Sequence, residues 1–175
     1  VFKFSELSSF SVPKENTSYI AFLNEAKDTE SKKDTSKYTF LNIINPVSNT
    51  YKKFKEVSEY MFSKNGNTLG FITSEKNNKR DSNAIYIFDT KKENTVPIFQ
   101  QKGIVKKIAV DDKGEQIAFL HSKDTNSVKR YGLYYWNSKT NSVKLIADTS
   151  AYGIPDGWEL SLNEKMYFSE DGTKL

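Results

Sequence analysis

The chain repeats itself with a period of about 48 residues, and this repeat limits its possible folds more than any other feature. In each copy a polar turn leads into a short apolar strand that contains a phenylalanine preceded by a small residue. The phenylalanines, spaced by 49 and 48 residues, are Phe22, Phe71 and Phe119. The small residues before them are Ala21, Gly70 and Ala118. We expect the small residues where neighbouring sheets approach closely.

Each repeat is predicted to form four short strands joined by hairpins. In the second copy these strands are expected at Glu59–Ser63, Leu69–Ser74, Ala84–Thr90 and Thr95–Gln101. The second and third strands are apolar without interruption, so both faces of each sheet should be covered. A repeated four-stranded sheet buried on both faces is typical of a blade of an all-β fold, the β-propeller. A β-sandwich would explain the strands but not the repeat.

The repeat also predicts how the chain is divided. Residues 1–175 are expected to form part of one β-propeller domain, with about three four-stranded blades and a partial blade at each end. The predicted blades are 8–57, 58–104 and 105–148, and the predicted partial blades are 1–7 and 158–175. Because three blades with two fragments would leave apolar faces open to water, we expect the chain to belong to a longer protein.

Composition and charge exclude several classes of protein. Aromatic residues make up 14% of the chain, which argues against general disorder. No apolar run approaches the roughly 20 residues of a membrane helix, so no membrane span is predicted in this segment. The net charge is +4, but nearly all cations are lysines interspersed with acidic residues, and nucleic-acid binding is not expected. The absence of cysteine excludes disulfides and thiol catalysis.

The sequence contains no recognisable catalytic, cofactor-binding or metal-binding motif, and none of these sites is predicted. The single histidine, His121, is either a general base or ligand, or a polar residue at a strand end facing a loop. The second interpretation is favoured because no partner residues accompany it. The spacing closest to a Gly-x-Ser-x-Gly nucleophile elbow runs from Gly153 to Gly157 and has Pro155 in place of serine.

Two regions carry candidate contact residues. Loops predicted at 24–37, 74–83 and 121–130 should share one rim of the propeller, where Arg80 and Arg130 could contact a substrate or partner. The alternative is that these loops are solvated hairpin tips. An insertion at Thr149–Asn163 carries Tyr152 and Trp158, and it is either a ligand contact or a plug over the core.

Three segments resemble known propeller repeats: Phe62–Phe71 (FSKNGNTLGF), Val110–Phe119 (VDDKGEQIAF) and Phe168–Leu175 (FSEDGTKL). They are similar to the WD40-like repeats of TolB-like propellers and of the prolyl oligopeptidase family of serine peptidases. The stretch from Gly153 through Trp158 to Gly172 resembles the N-terminal propeller region of large bacterial members of that family.

The resemblance implies a C-terminal α/β-hydrolase domain outside this chain, which would carry the catalytic Ser, Asp and His. The propeller would filter the peptide substrates that reach it, with no cofactor, in a bacterial periplasmic or secreted protein. The Glu-Glu pair of the dipeptidyl-peptidase branch does not occur here. The alternative is a stand-alone TolB-like propeller that binds proteins in the cell envelope. A Gly-x-Ser-x-Gly motif downstream would distinguish the two.

Overall fold

The computed structural model describes residues 6–16, 18–27, 36–77, 80–125 and 127–175, with the backbone alone at 75–77 and 80–82. Most of the predicted partial blade at 1–7, and much of the loop predicted at 24–37, therefore lie outside the described residues. Within these ranges every regular element is a β-strand. None of the described residues forms a helix of the length and apolarity needed to span a membrane.

The described strands form three four-stranded antiparallel sheets, each built from consecutive strands. The first sheet contains β1 (Leu7–Ser11), β2 (Ile20–Lys27), β3 (Lys37–Asn45) and β4 (Thr50–Lys55). The second contains β5 (Val57–Phe62), β6 (Thr68–Asn77), β7 (Arg80–Asp89) and β8 (Asn94–Lys102). The third contains β9 (Ile104–Val110), β10 (Gln116–Ser122), β11 (Gly132–Asn137) and β12 (Ser142–Ala147). The prediction of an all-β propeller fragment with three four-stranded blades is confirmed.

Two of the expected rim loops are shorter than predicted. The β6–β7 ladder continues through Ser74↔Asn83 to Asn77↔Arg80, so most of the loop expected at 74–83 is a paired hairpin. Likewise His121 and Ser122 belong to β10 rather than to the following loop. The prediction was wrong because it ended each strand where apolar residues stop, whereas backbone pairing continues through the polar residues that follow.

The second sheet is buried on both faces, as the uninterrupted apolar strands predicted. Its side chains alternate between two cores because successive residues of a strand point to opposite faces. Phe71 packs towards the first sheet, and Ile72 packs towards the third. The core between the first and second sheets includes Ala21, Leu41, Ile43, Leu69, Phe71 and Phe88. The core between the second and third includes Ile72, Ile85, Phe99, Val105, Ile117, Phe119 and Trp136.

Gly70 marks the closest approach of the second and third sheets. A Cβ atom at this position would lie 2.9 Å from Ile108 Cδ1 and 3.1 Å from Val110 Cγ2. Any side chain would therefore displace the core of the third sheet. The expectation that a small residue lies where sheets approach closely is confirmed here.

The turn that joins the first two strands of a blade recurs in the same form in three places. The copies are Ser63–Thr68, Asp111–Gln116 and Ser169–Lys174. In each, the first residue's N–H donates to the sixth residue's carbonyl, over 2.8, 3.1 and 2.9 Å. The fourth position is a glycine with φ of 71–72°, a left-handed conformation that glycine adopts without steric cost. Within 158–175 the structure forms this turn but no strand.

Neighbouring turns are linked to one another along one end of the sheets. Thr68 Oγ1 donates to the carbonyl of Gly114 over 3.0 Å, and Gln116 Nε2 donates to that of Gly172 over 3.1 Å. The Lys64 ammonium lies within 3.8 Å of Glu15, 3.3 Å of Asp112 and 3.2 Å of Glu170. These contacts set the spacing of successive blades.

The contact at Gly70 predicts that Gly70→Val destabilises the protein by about 1–3 kcal/mol, because the added side chain overpacks the core between the second and third sheets. Urea unfolding followed by fluorescence measures the change. Gln100→Val, which places the same side chain at an exposed position of β8, should change stability by less than about 0.5 kcal/mol. Equal effects of the two substitutions would contradict the close approach.

The hydrogen bonds of the last turn predict a low pKa for Asp171. Its carboxylate accepts hydrogen bonds from the Ser169 hydroxyl at 2.6 Å and from the Thr173 hydroxyl at 2.7 Å. The bond from Ser169, followed by those from the N–H of Thr173 at 3.0 Å and from its hydroxyl, lowers the pKa of Asp171 to about 2. Ser169→Ala should raise that pKa towards the usual value of about 3.9, as measured by carboxyl ¹³C NMR during acid titration. Ser150→Ala, which removes the equivalent bond to Asp148, should leave Asp171 unchanged.

Candidate functional site

One end of the three sheets carries the groups that could contact a substrate or partner. We call this end the loop rim: it contains the ends of β2, β6 and β10, the starts of β3, β7 and β11, and the links between sheets. Each link is a single residue in the left-handed region, Glu56 (φ 58°) between β4 and β5 and Gly103 (φ 115°) between β8 and β9. Links this short hold neighbouring sheets at a fixed spacing.

Two cavities open at the loop rim. The rim cleft, of about 500 Å³, lies where the first and second sheets meet and is lined by residues 36–39, 56–58 and Ser74. The rim pocket, of about 210 Å³, lies against the third sheet. Six residues that give the rim pocket its chemistry are His121, Lys123, Asp124, Arg130, Tyr134 and Asp148.

A third cavity, of about 500 Å³, lies on the opposite face of the third sheet. Its apolar lining comes from Leu120 and Leu133 of the sheet and from Leu160, Met166 and Leu175 of the C-terminal segment. The end of the predicted insertion thus covers part of this face.

Of the four candidate contact residues, the structure places one in a cavity. Arg130 lines the rim pocket. Arg80 begins β7 opposite Asn77, at the loop rim, but its side chain lies outside the described residues. Tyr152 and Trp158 are exposed, at 108% and 67%, and line none of the three cavities above. The structure therefore does not bring the four residues together, and their contact role stays a prediction.

Asp124 organises the loop between β10 and β11. Its carboxylate Oδ2 accepts the backbone N–H of Arg130 over 2.7 Å, and its carbonyl accepts a hydrogen bond from the Lys129 ammonium over 2.5 Å. Its own N–H donates to Ser122 Oγ over 3.2 Å. These bonds fix the backbone of Arg130. Its guanidinium makes no hydrogen bond or ion pair within the part of the chain that the structure describes.

His121 is a core residue, only 2% exposed. Its ring packs edge-on against Phe99, with centroids 4.9 Å apart, and against Tyr134, at 5.5 Å. Nε2 lies 3.0 Å from the carbonyl oxygen of Lys102, whereas Nδ1 is buried without a partner. Burial lowers the pKa of His121, and the bond to Lys102 opposes this only in part. The sequence led us to expect a residue facing the loop, but the structure buries the ring between the second and third sheets.

The sequence interpretation missed Asp148 as a pocket residue. It follows β12 directly and reaches the β10–β11 loop because Leu133 pairs with Ala147 across the third sheet. Only the strand register brings the two segments together, and local sequence contains no signal for it. Among the described residues, no group of three His, Asp or Glu side chains could hold a metal ion.

Because His121 is buried with a lowered pKa, it should make stability depend on pH. The unfolded chain takes up this proton near pH 6.5, whereas the folded protein binds it only at lower pH. The free energy of unfolding is therefore at its full value above pH 6.5 and falls below that pH. At pH 5.5 the loss is up to about 1.4 kcal/mol. Urea unfolding at pH 7.5 and 5.5 measures the loss. His121→Gln, whose amide can still donate to Lys102, should remove most of it. An equal pH dependence in both proteins would contradict the buried neutral imidazole.

Solved structures share this fold, although the sequence matches no protein-family model and no curated protein. The β-propeller domain of the trilobed protease from Pyrococcus furiosus superposes with a TM-score of 0.61 at 14% identity, covering 86% of this chain and 44% of that one. Acylaminoacyl peptidase from Pyrococcus horikoshii superposes with a TM-score of 0.58 at 13% identity, covering 83% of this chain and 25% of that one. The uncharacterized protein lmo1340 from Listeria monocytogenes superposes with a TM-score of 0.51 at 14% identity, covering 83% of this chain and 41% of that one.

This chain spans less than half the length of each of these structures. At such low identity the likeness is one of fold. Together with the three stacked sheets and the recurring turn, it identifies the chain as a segment of a β-propeller.

Proposed function

We propose that this chain is the non-catalytic, substrate-gating propeller segment of a prolyl oligopeptidase-like serine peptidase that cleaves peptides. The observation that supports this most is the superposition of this chain on the β-propeller domain of a protease and on part of an acylaminoacyl peptidase. The resemblance of its turn motifs to the repeats of that family points the same way. The partner would be a C-terminal hydrolase domain outside this chain, in a periplasmic or secreted bacterial protein.

The proposed mechanism is exclusion. Both faces of the second sheet are packed against neighbours, and the links between sheets are single residues, so the wall resists widening. A rigid ring of this kind admits extended peptides to an enclosed hydrolase site and rejects folded proteins. The chain would form the wall of the channel and supply no catalytic group, since its one histidine is buried and bound to a backbone carbonyl.

A second candidate is a stand-alone TolB-like propeller that binds protein partners in the cell envelope. The resemblance of the turn motifs to TolB-like repeats favours it, because fold alone does not determine function. The rim cleft between the first and second sheets would then be part of a docking surface.

A fluorophosphonate probe separates the two candidates. We expect the natural protein that contains this chain to be labelled on one serine, C-terminal to the segment described here, and mass spectrometry of the digest locates it. Heat-unfolded protein is the control, because an activated nucleophile requires the folded site, and no serine of residues 1–175 should be labelled. Failure to label the folded protein would contradict the peptidase proposal and favour the binding module.

A further inference from the structure

The first strands of the three sheets, β1, β5 and β9, lie side by side along one edge of the stacked sheets, which we call the inner edge. Each is the terminal strand of its sheet and pairs on one side only. Side chains of β1 contact β5, and side chains of β5 contact β9. Because the blades of a propeller surround a central channel, we expect the inner edge to line it.

The register of β5 with β6 determines which backbone groups of β5 have no partner in the sheet. The N–H of Ser63 donates to the carbonyl of Thr68, and the hydrogen-bonded pairs alternate from there, so Met61 belongs to the next such pair. Tyr60 and Phe62 lie between these pairs, and their N–H and C=O groups therefore point away from β6. Among the described residues, no group accepts a hydrogen bond from either N–H.

The corresponding N–H groups of β9 are covered by side chains of β5. The Glu59 carboxylate accepts the N–H of Lys107 over 3.3 Å and that of Ile108 over 3.4 Å. The N–H of Val110 donates to Met61 Sδ over 3.4 Å. These contacts show that such groups point outwards at the inner edge, and they close the edge of β9 to a further strand.

Serines occupy the equivalent positions of β1 and leave the edge of β5 uncovered. The strand registers place Ser9 in β1 where Glu59 lies in β5, and Ser11 where Met61 lies. The hydroxyl of Ser9 lies 3.2 Å from that of Tyr60, and neither serine bonds to the β5 backbone in the described structure. A serine side chain ends at its γ atom, so it is shorter than the two side chains that cover β9.

The open edge of β5 has the pattern that an added β-strand recognises. Its free N–H and C=O groups belong to residues two apart, Tyr60 and Phe62, which is the spacing of bonded positions along a strand. The neighbouring Ser9 and Ser11 are uncharged, and the Glu59 carboxylate is bound to β9. The edge therefore favours a peptide main chain over a charged ligand.

We propose that the inner edge of β5 binds an extended peptide segment as an added β-strand, through the N–H and C=O groups of Tyr60 and Phe62. This inference deepens the gating proposal and rests on it for the nature of the ligand, a peptide substrate. The site recognises the main chain of the peptide, so it accepts many sequences. A peptide held in this way is extended as it passes through the channel.

A fluorescent peptide tests the site in the natural protein that contains this chain. The probe is a dye-labelled, uncharged pentapeptide of alternating threonine and valine, added after fluorophosphonate treatment so that it is not cleaved. Fluorescence anisotropy should show saturable binding, with a Kd on the order of 0.1–1 mM. The same peptide with N-methyl groups on all of its residues should bind at least about tenfold more weakly, because it has lost its main-chain donors.

Variants of β1 test the position of the peptide. Ser9→Glu combined with Ser11→Met copies onto β1 the two side chains that cover β9, and it should weaken peptide binding by at least about tenfold. Ser11→Met alone, a milder change that adds no charge, should weaken binding by about threefold. Ser138→Glu, at an exposed site in the β11–β12 turn, is the matched control and should leave binding unchanged. An unchanged midpoint of urea unfolding shows that a variant is folded.

Three results would overturn the proposal. Equal binding of the N-methylated peptide would show that the main chain is not recognised. Equal binding by the folded β1 variants would place the peptide elsewhere. No binding at about 5 mM peptide would mean that water keeps these backbone groups. The test is distinct from fluorophosphonate labelling: a protein that binds the peptide but is not labelled contradicts the peptidase proposal alone, and a labelled protein that does not bind it contradicts the strand site alone.

Discussion

Face-to-face packing of neighbouring sheets is the interaction on which the rest of this structure depends. A four-stranded antiparallel sheet usually keeps one face in water, but here both faces of the second sheet are covered by neighbouring sheets. Phe71 packs on one side and Ile72 on the other. Each large apolar side chain buried in this way stabilises the fold by about 1.5–3 kcal/mol. Because that burial comes from other blades, no single blade is a stable unit, and folding must couple neighbours.

The two ends of the sheets fix the blades by different means. At one end the repeated turns bond to one another, and Lys64 contacts turns on both sides of its own. At the loop rim the links are single residues, and His121 bonds to the carbonyl of Lys102 at the end of β8. The first end uses exposed ion pairs, which are individually weak, together with backbone hydrogen bonds. The second uses steric restriction and a buried imidazole.

The sequence predicted the architecture because the features that determine it are local and repeated. Phe22, Phe71 and Phe119 revealed the period, and Gly70 revealed the close approach of two sheets. The rim was predicted less well. The β6–β7 hairpin extends through polar residues, whereas the apolar pattern predicted that its two strands end earlier. Asp148 joins the rim pocket only through strand register, and the buried position of His121 depends on which face of β10 it occupies, so neither can be inferred from spacing alone.

The position of His121 has a consequence for the behaviour of the junction between two blades in acid. One ring nitrogen is bonded to Lys102, next to the glycine that joins the second and third sheets, where a Cβ would lie 2.1 Å from the carbonyl oxygen of Ser122. The other nitrogen is buried without a partner among the described residues. Protonation of this nitrogen would place an unpaired charge at the junction, so the contact between the two sheets weakens as the ring gains its second proton. A single imidazole thereby makes the junction between two blades sensitive to acid.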